Sequence, residues 1–200
     1  MITEAQHGFL KGRSVESNLC SFLNFSAPIV SNRGQVDAIY FDMSKAFDRV
    51  SHDLLLQKLA LHGFSPHLCA WFSSYIKDRR NSVRVEESYS DEFVSKSGVP
   101  QGSILGPVLF ILFINDIVSC VSDAKILLFA DDVKLFLSVR SVLDCTRLQA
   151  DIEHVSNWCF KDHLSFNPEK TKHIVLSRKR ELISFSYNLE GALIPRVSSP

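Results

Sequence analysis

The sequence is short of several features that would narrow its function at once. It carries no net charge: 22 Lys and Arg balance 22 Asp and Glu across 200 residues. That excludes a nucleic-acid binder relying on bulk positive charge and leaves room only for a local basic groove. The five cysteines, at positions 20, 69, 120, 145 and 159, are odd in number and include no C-x-x-C pair. They argue against a disulfide framework and a zinc ribbon and fit a reducing compartment. No G-x-x-x-x-G-K-[ST] string occurs, which removes a P-loop ATPase. The longest apolar run, Val108 to Ile114, is fenced by Pro107, Asn115 and Asp116 and is far short of a membrane span. Mixed polar residues after Met1 show no signal peptide, and no repeat or low-complexity tract is visible.

What is present reads as one globular domain. Apolar residues make up 46% and charged residues 22%, so disorder is excluded, and Phe is unusually frequent at 15. Ser14 caps a helix to about Val30. Val36 to Met43 reads as a strand, with Ala38 to Phe41 near-continuously apolar as in a strand buried on both faces. Ser51 and Ser65-Pro66 open two helices. Asn81 to Glu86 and Glu92 to Lys96 read as partner strands. An apolar helix is expected over Ser103 to Val121, then strands over Lys125 to Phe129 and Val133 to Val139. A helix from Ser141 to about Lys161, a short strand His173 to Leu176 and a hairpin within Ser184 to Ile194 complete the order. This pattern predicts an α+β fold with helices on one face of the sheet.

Three acids stand where acids are costly. Asp42 closes the apolar run Ala38 to Phe41, and Asp131 and Asp132 follow Ile126 to Ala130. Carboxylates at the mouths of core strands need partners or bound cations. If the two strands are neighbours, the three converge, and an oxygen-only cluster suits Mg²⁺ or Mn²⁺. A lone strand-end Asp reads by default as a turn or cap residue, and composition and spacing do not choose between the readings.

Longer strings do choose. Phe41-Asp42-Met43-Ser44-Lys45-Ala46-Phe47-Asp48, Gly98-Val99-Pro100-Gln101-Gly102-Ser103 and Phe129-Ala130-Asp131-Asp132 occur in that order. Gln6-His7-Gly8-Phe9 with Gly12-Arg13-Ser14 lies upstream, and Asn167-Pro168-Glu169-Lys170-Thr171 downstream. The set resembles the palm of reverse transcriptases, most closely those of LINE-type (non-LTR, jockey-like) retrotransposons.

The resemblance implies a right-hand polymerase palm with part of the fingers: an antiparallel sheet backed by helices. It implies RNA-directed DNA polymerisation, in which a primer 3′-hydroxyl attacks the α-phosphate of a deoxynucleotide and pyrophosphate leaves. By the same resemblance Asp42, Asp131 and Asp132 hold two Mg²⁺ ions, Asp131 more firmly than Asp132. Phe47 packs under the incoming sugar and disfavours a 2′-hydroxyl, which argues against an RNA-templated RNA polymerase. Gln101, with Gly102 beside it, contacts the incoming nucleotide or the templating base pair, and Ala130 lies near the primer terminus. Lys170, or its neighbour Lys172, protonates or neutralises the leaving pyrophosphate. Lys11 and Arg13 touch template or primer phosphates. Asp48 is expected to cap the following segment or to pair with Lys45 or Arg49.

The implied partners are an RNA template, a DNA primer and deoxynucleotides, with no membrane. The expected domain covers residues 6–178, and residues 179–200 begin a connection to a thumb. Earlier fingers segments, a thumb and an endonuclease are expected to belong to a longer polyprotein. Such elements act in the cytoplasm and the nucleus. The alternative is a folded relic without polymerase activity.

Overall fold

The computed structural model describes residues 2–197. Helix α1 spans Val15–Ser31. It starts where expected because Ser14 and Ser17 exchange side-chain-to-backbone hydrogen bonds as a capping box. Strand β1 is Gln35–Phe41, followed by the single-turn α2 (Ala46–Arg49), α3 (His52–Leu61) and α4 (Pro66–Ile76). Ser51 and Ser65 accept from the backbone N–H three residues on and fix the starts of α3 and α4.

Next come four two-residue strands, β2 (Arg80–Asn81), β3 (Arg84–Val85), β4 (Ser88–Tyr89) and β5 (Phe93–Val94). They pair as β2–β5 and β3–β4. The strand expected over Asn81 to Glu86 is therefore broken. Ser90 Oγ takes the Val83 N–H and so interrupts a continuous ladder there.

Helix α5 is Leu105–Phe113 and passes into a 3-10 helix at Asn115–Cys120. The single helix expected to Val121 is thus tightened at its polar end. There Asn115 Oδ1 accepts from Thr3 N, and Asp116 accepts from Lys58 and Trp158. Strands β6 (Lys125–Phe129) and β7 (Asp132–Ser138) form a hairpin. Helix α6 (Val142–Lys161), β8 (Lys172–Ser177), β9 (Asn188–Leu189), β10 (Ala192–Leu193) and β11 (Arg196–Val197) complete the described residues.

The main sheet has the order β11-β8-β1-β7-β6, antiparallel except for the parallel β11–β8 pair. Its two faces are both apolar. Val36 and Ala38 of β1, Leu127 of β6 and Phe136 of β7 pack with Phe22 and Phe25 of α1. Ile39, Phe41, Leu128, Val133 and Leu135 point the other way, into a core with Leu55, Leu59, Phe110, Phe113, Leu148, Ile152 and Val155. Helices therefore cover both faces, not one. The near-continuous apolar run of β1 requires that, since successive residues face opposite sides. Each large aliphatic side chain buried this way contributes roughly 1.5–3 kcal/mol.

One polar cluster lies inside this core. Asp37 is fully buried and accepts from Gln35 Nε2 (2.8 Å) and from the Tyr187 hydroxyl (3.0 Å), with His173 Nε2 at 3.3 Å. Gln35 also accepts from Ile183 N and donates to Ile183 O. The segment after β8 is thereby tied to the first turn of β1. No described helix is long and apolar enough to cross a membrane.

Candidate active site at the mouth of the sheet

The register of β1 against β7 sets the site. Phe41 lies opposite Val133, so Asp42, the next residue, emerges beside Asp132. The β6–β7 hairpin closes with Phe129 opposite Asp132, leaving Ala130 and Asp131 as the turn. Ala130 adopts φ +53°, a left-handed conformation unfavourable for a side chain with a Cβ. It is held there. Gln6 Oε1 accepts from Ala130 N (2.9 Å) and Gly8 N (2.7 Å), and Gln6 Nε2 reaches Ala130 O (3.5 Å). Residues 5–7 run alongside β6, with Leu128 N bonded to Ala5 O and His7 N to Leu128 O. A Cβ on Gly8 would lie 2.4 Å from Ala130 N, so only glycine fits this approach.

A second strap holds Asp42. Asn167 N donates to Asp42 O (2.7 Å), Ser44 N donates to Ser165 O, and Met43 bridges Phe166. This strap carries Lys170, whose Nζ lies 3.8 Å from Asp42 Oδ2. Lys172 Nζ instead donates to Glu169 O. Of the two lysines left open by the sequence, Lys170 is the one beside the acids.

The acids repel one another. Burial raises the Asp131 carboxyl above its ordinary range, and the Asp42 charge raises it further. Asp132 is raised by burial, then by Asp131 and Asp42, with partial relief from Lys134. Neither Asp131 nor Asp132 makes an ion pair among the described residues, and no three described His, Cys, Asp or Glu side chains enclose a ready-made metal cage. The three carboxylates are oxygen donors with Lys170 near Asp42 alone, and donors of this kind suit a hard divalent cation.

Asp132 also lines a cleft of about 340 Å³ between α1 and the sheet, with Val15, Asn18, Tyr40, Phe129 and Lys134. Lys134 Nζ sits 4.7 Å from both the Phe22 and Tyr40 rings and 3.5 Å from Asn18 Oδ1. Burial lowers its pKa, and Asp132 partly restores it.

Phe47 and Gln101 are brought together by the turn that follows Asp42, whereas Lys11 and Arg13 lie apart from them on the N-terminal segment. Phe47 is half-buried, stacked on Phe110 at 4.3 Å and edge-on to Phe9 at 6.2 Å. The loop 98–101 packs against its turn: Gly98 N bonds Val50 O, and Val99 N bonds Phe47 O. Gly98 has φ +87°, and a Cβ there would lie 2.9 Å from Asp48 Cα. Gln101 Nε2 donates to Asp48 Oδ1 (2.5 Å), so Asp48 is paired across 53 residues rather than with Lys45 or Arg49. Gly102 is exposed at φ +74°. Lys11 is exposed, while Arg13 is turned inward to Glu4 O and His7 Nε2.

The family model for reverse transcriptase (RNA-dependent DNA polymerase) matches residues 1–187. The chain belongs to the reverse transcriptase family. It is 30% identical to a probable RNA-directed DNA polymerase from transposon BS of Drosophila melanogaster, covering 99% of this chain and 23% of that protein. It is 29% identical to the RNA-directed DNA polymerase from mobile element jockey of the same fly, covering 89% and 20%. The chain thus spans about a fifth to a quarter of the relatives it matches. Among solved structures, apo telomerase from Candida tropicalis, truncated from its C-terminal domain, superposes with a TM-score of 0.67 at 20% identity, covering 94% of this chain and 38% of that one. That likeness supports the right-hand fold.

Within this reverse transcriptase domain, three contributors were not singled out from sequence as site residues. Gln6 holds the Ala130 turn, Asn167 holds Asp42, and Lys134 lines the cleft. Gln6 and Asn167 lie inside the upstream and downstream strings, which was their only sequence signal. Lys134 was hidden as one polar residue in an alternating strand.

Proposed function

We propose that residues 6–178 form the palm and part of the fingers of an RNA-directed DNA polymerase, which extends a DNA primer on an RNA template with deoxynucleotides. Residues 179–200 then begin the connection to a thumb, residues 198–200 of it lying outside the described part. The observation that carries this reading is the β1–β7 register, which places Asp42 beside the Asp131-Asp132 turn.

Asp42 and Asp131 would hold Mg²⁺, with Asp132 at its flank. Of two ions bound there, one would activate the primer 3′-hydroxyl and the other would hold the triphosphate. The chain's own residues do the rest. Phe47, braced by Phe110, gives a ring that cannot yield to a 2′-hydroxyl. Gln101 spends its Nε2 on Asp48 and keeps Oε1 for the incoming nucleotide beside Gly102. Ala130, with only a methyl group, lets the primer terminus approach the acids. Lys170 stands by Asp42 to offset the charge of departing pyrophosphate. Lys11, exposed on the N-terminal segment, contacts template or primer phosphates, while Arg13 reaches them only by leaving Glu4 O and His7.

The test is extension of a labelled DNA primer on an RNA template, with this chain fused to the fingers and thumb segments of the jockey relative. Deoxynucleotide incorporation that is abolished in Asp131→Asn supports the reading. Equal extension by the parent and Asp131→Asn overturns it.

A further inference from the structure

The end of the sheet opposite the aspartates carries the reverse charge. Arg33 follows α1 in a left-handed turn just before β1, and Arg178, Lys179 and Arg180 follow β8. Gln35 pairs with Ser177, so these two chain segments leave the sheet side by side. Together with Ser31 and Glu181 they line a cleft of about 650 Å³. Four cations face one carboxylate there, in a chain whose overall charge is zero. Among the described residues none of the four makes an ion pair. Arg140 lies at the same end, since Val139 N bonds Gln35 O, but it adds no net charge there because the Asp144 carboxylate accepts from Arg140 N. The length of β1, about 20 Å, separates this cleft from Asp42.

Unpaired cations gathered in one concavity repel each other and are stabilised by a multivalent anion. Three of the four lining cations are arginines, whose planar guanidinium groups match phosphate oxygens two at a time. The lining holds no apolar or aromatic side chain, so it offers neither a wedge for a membrane nor a platform for base stacking. We propose that this cleft is a second nucleic-acid site, which takes the phosphate backbone of a single strand without reading its sequence. It acts independently of nucleotide transfer and holds a strand at the end of the sheet remote from the aspartates.

The test is fluorescence anisotropy of the 200-residue chain with a labelled oligouridine of about 15 nucleotides, without divalent cation or nucleotide. Failure of polymerisation therefore does not bear on the result. Arg178→Ser with Arg180→Ser is compared with Arg80→Ser and Arg84→Ser, which remove the same charge from the exposed ribbon. The first pair is expected to weaken binding about tenfold or more and to flatten the salt dependence by about 1.4 in the log–log slope, the second pair to change affinity less than about twofold. Arg33→Ser, from the other segment, is expected to weaken binding in the same direction. Equal losses in both pairs would show attraction by bulk charge alone and overturn the site. So would parent-like binding by the first pair, or parent binding to anionic phospholipid vesicles but not to RNA.

Discussion

The Gln6 amide grips the Ala130 peptide from both sides, accepting from its N–H at 2.9 Å and reaching its carbonyl at 3.5 Å. The turn that presents Asp131 is therefore not self-sufficient. Ala130 at φ +53° is strained, and an element 124 residues away stabilises it. Gln6→Leu would leave the Ala130 and Gly8 N–H groups buried without that acceptor. We expect a loss of about 1–3 kcal/mol in urea unfolding. A change under about 0.5 kcal/mol would show that the amide does not hold the turn.

Phe47 has one face on Phe110 and an edge toward Phe9. Phe47→Ala removes the stack and the wall together. Stability is expected to fall by roughly 2 kcal/mol, less than for a fully buried Phe. In the fused polymerase, the ribonucleotide-to-deoxynucleotide incorporation ratio is expected to rise at least about tenfold. If stability falls and the ratio stays put, Phe47 is a core residue only.

Lys58 sits under the helices. Its Nζ meets Asp162 Oδ1 (2.6 Å), Asp116 Oδ1 (2.8 Å) and Phe113 O (2.9 Å), and lies 4.6 Å from the Phe113 and Trp158 rings. Burial raises the Asp162 carboxyl above its ordinary 3.8, and Lys58 holds that rise down. A raised folded-state value means that stability is fully present below 3.8 and falls as pH rises through the folded value. Lys58→Met removes the restraint and widens that window. We expect a cost of about 3–5 kcal/mol at neutral pH and clearly less near about pH 4, read from urea midpoints. An equal cost at both pH values would mean that lost packing, not the stranded carboxylate, is responsible.

The sequence was most legible where partners are close along the chain. Ser14, Ser51, Ser65 and Ser141 cap within three residues, and their helices start where read. The hairpin behind Asp131-Asp132 is also local. The convergence of Asp42 on that turn rested on the matching strings, and the β1–β7 register supplies its geometry. Contacts across long separations were not legible. Asp48 was assigned to its neighbours because its partner Gln101 is 53 residues away. The Asp37–Tyr187 bond spans 150 residues and left no periodic trace, since one buried polar residue in an apolar strand looks like an interruption. Helix α1 was placed in sequence but not on its face of the sheet, because either side of β1 would accept it.

The carboxylate trio makes a prediction in which stability and activity move apart. Asp131 and Asp132 are both raised by burial and by neighbouring negative charge. Their ionised forms are thus disfavoured in the fold, a strain kept by residues whose proposed task is to hold a divalent cation. Asp131→Asn removes one charge at nearly constant volume. At neutral pH it is expected to stabilise the chain by up to about 1 kcal/mol, the modest size reflecting solvent screening at half-exposed groups. Millimolar Mg²⁺ is expected to raise the melting temperature of the parent by neutralising the same repulsion, and to do so much less for Asp131→Asn or Asp42→Asn. A scanning-fluorimetry series with Mg²⁺, and with Ca²⁺ as comparison, reads both effects without requiring turnover. Should Mg²⁺ shift parent and variants alike, the cation would be binding elsewhere, and the acids would owe their strain to some other role.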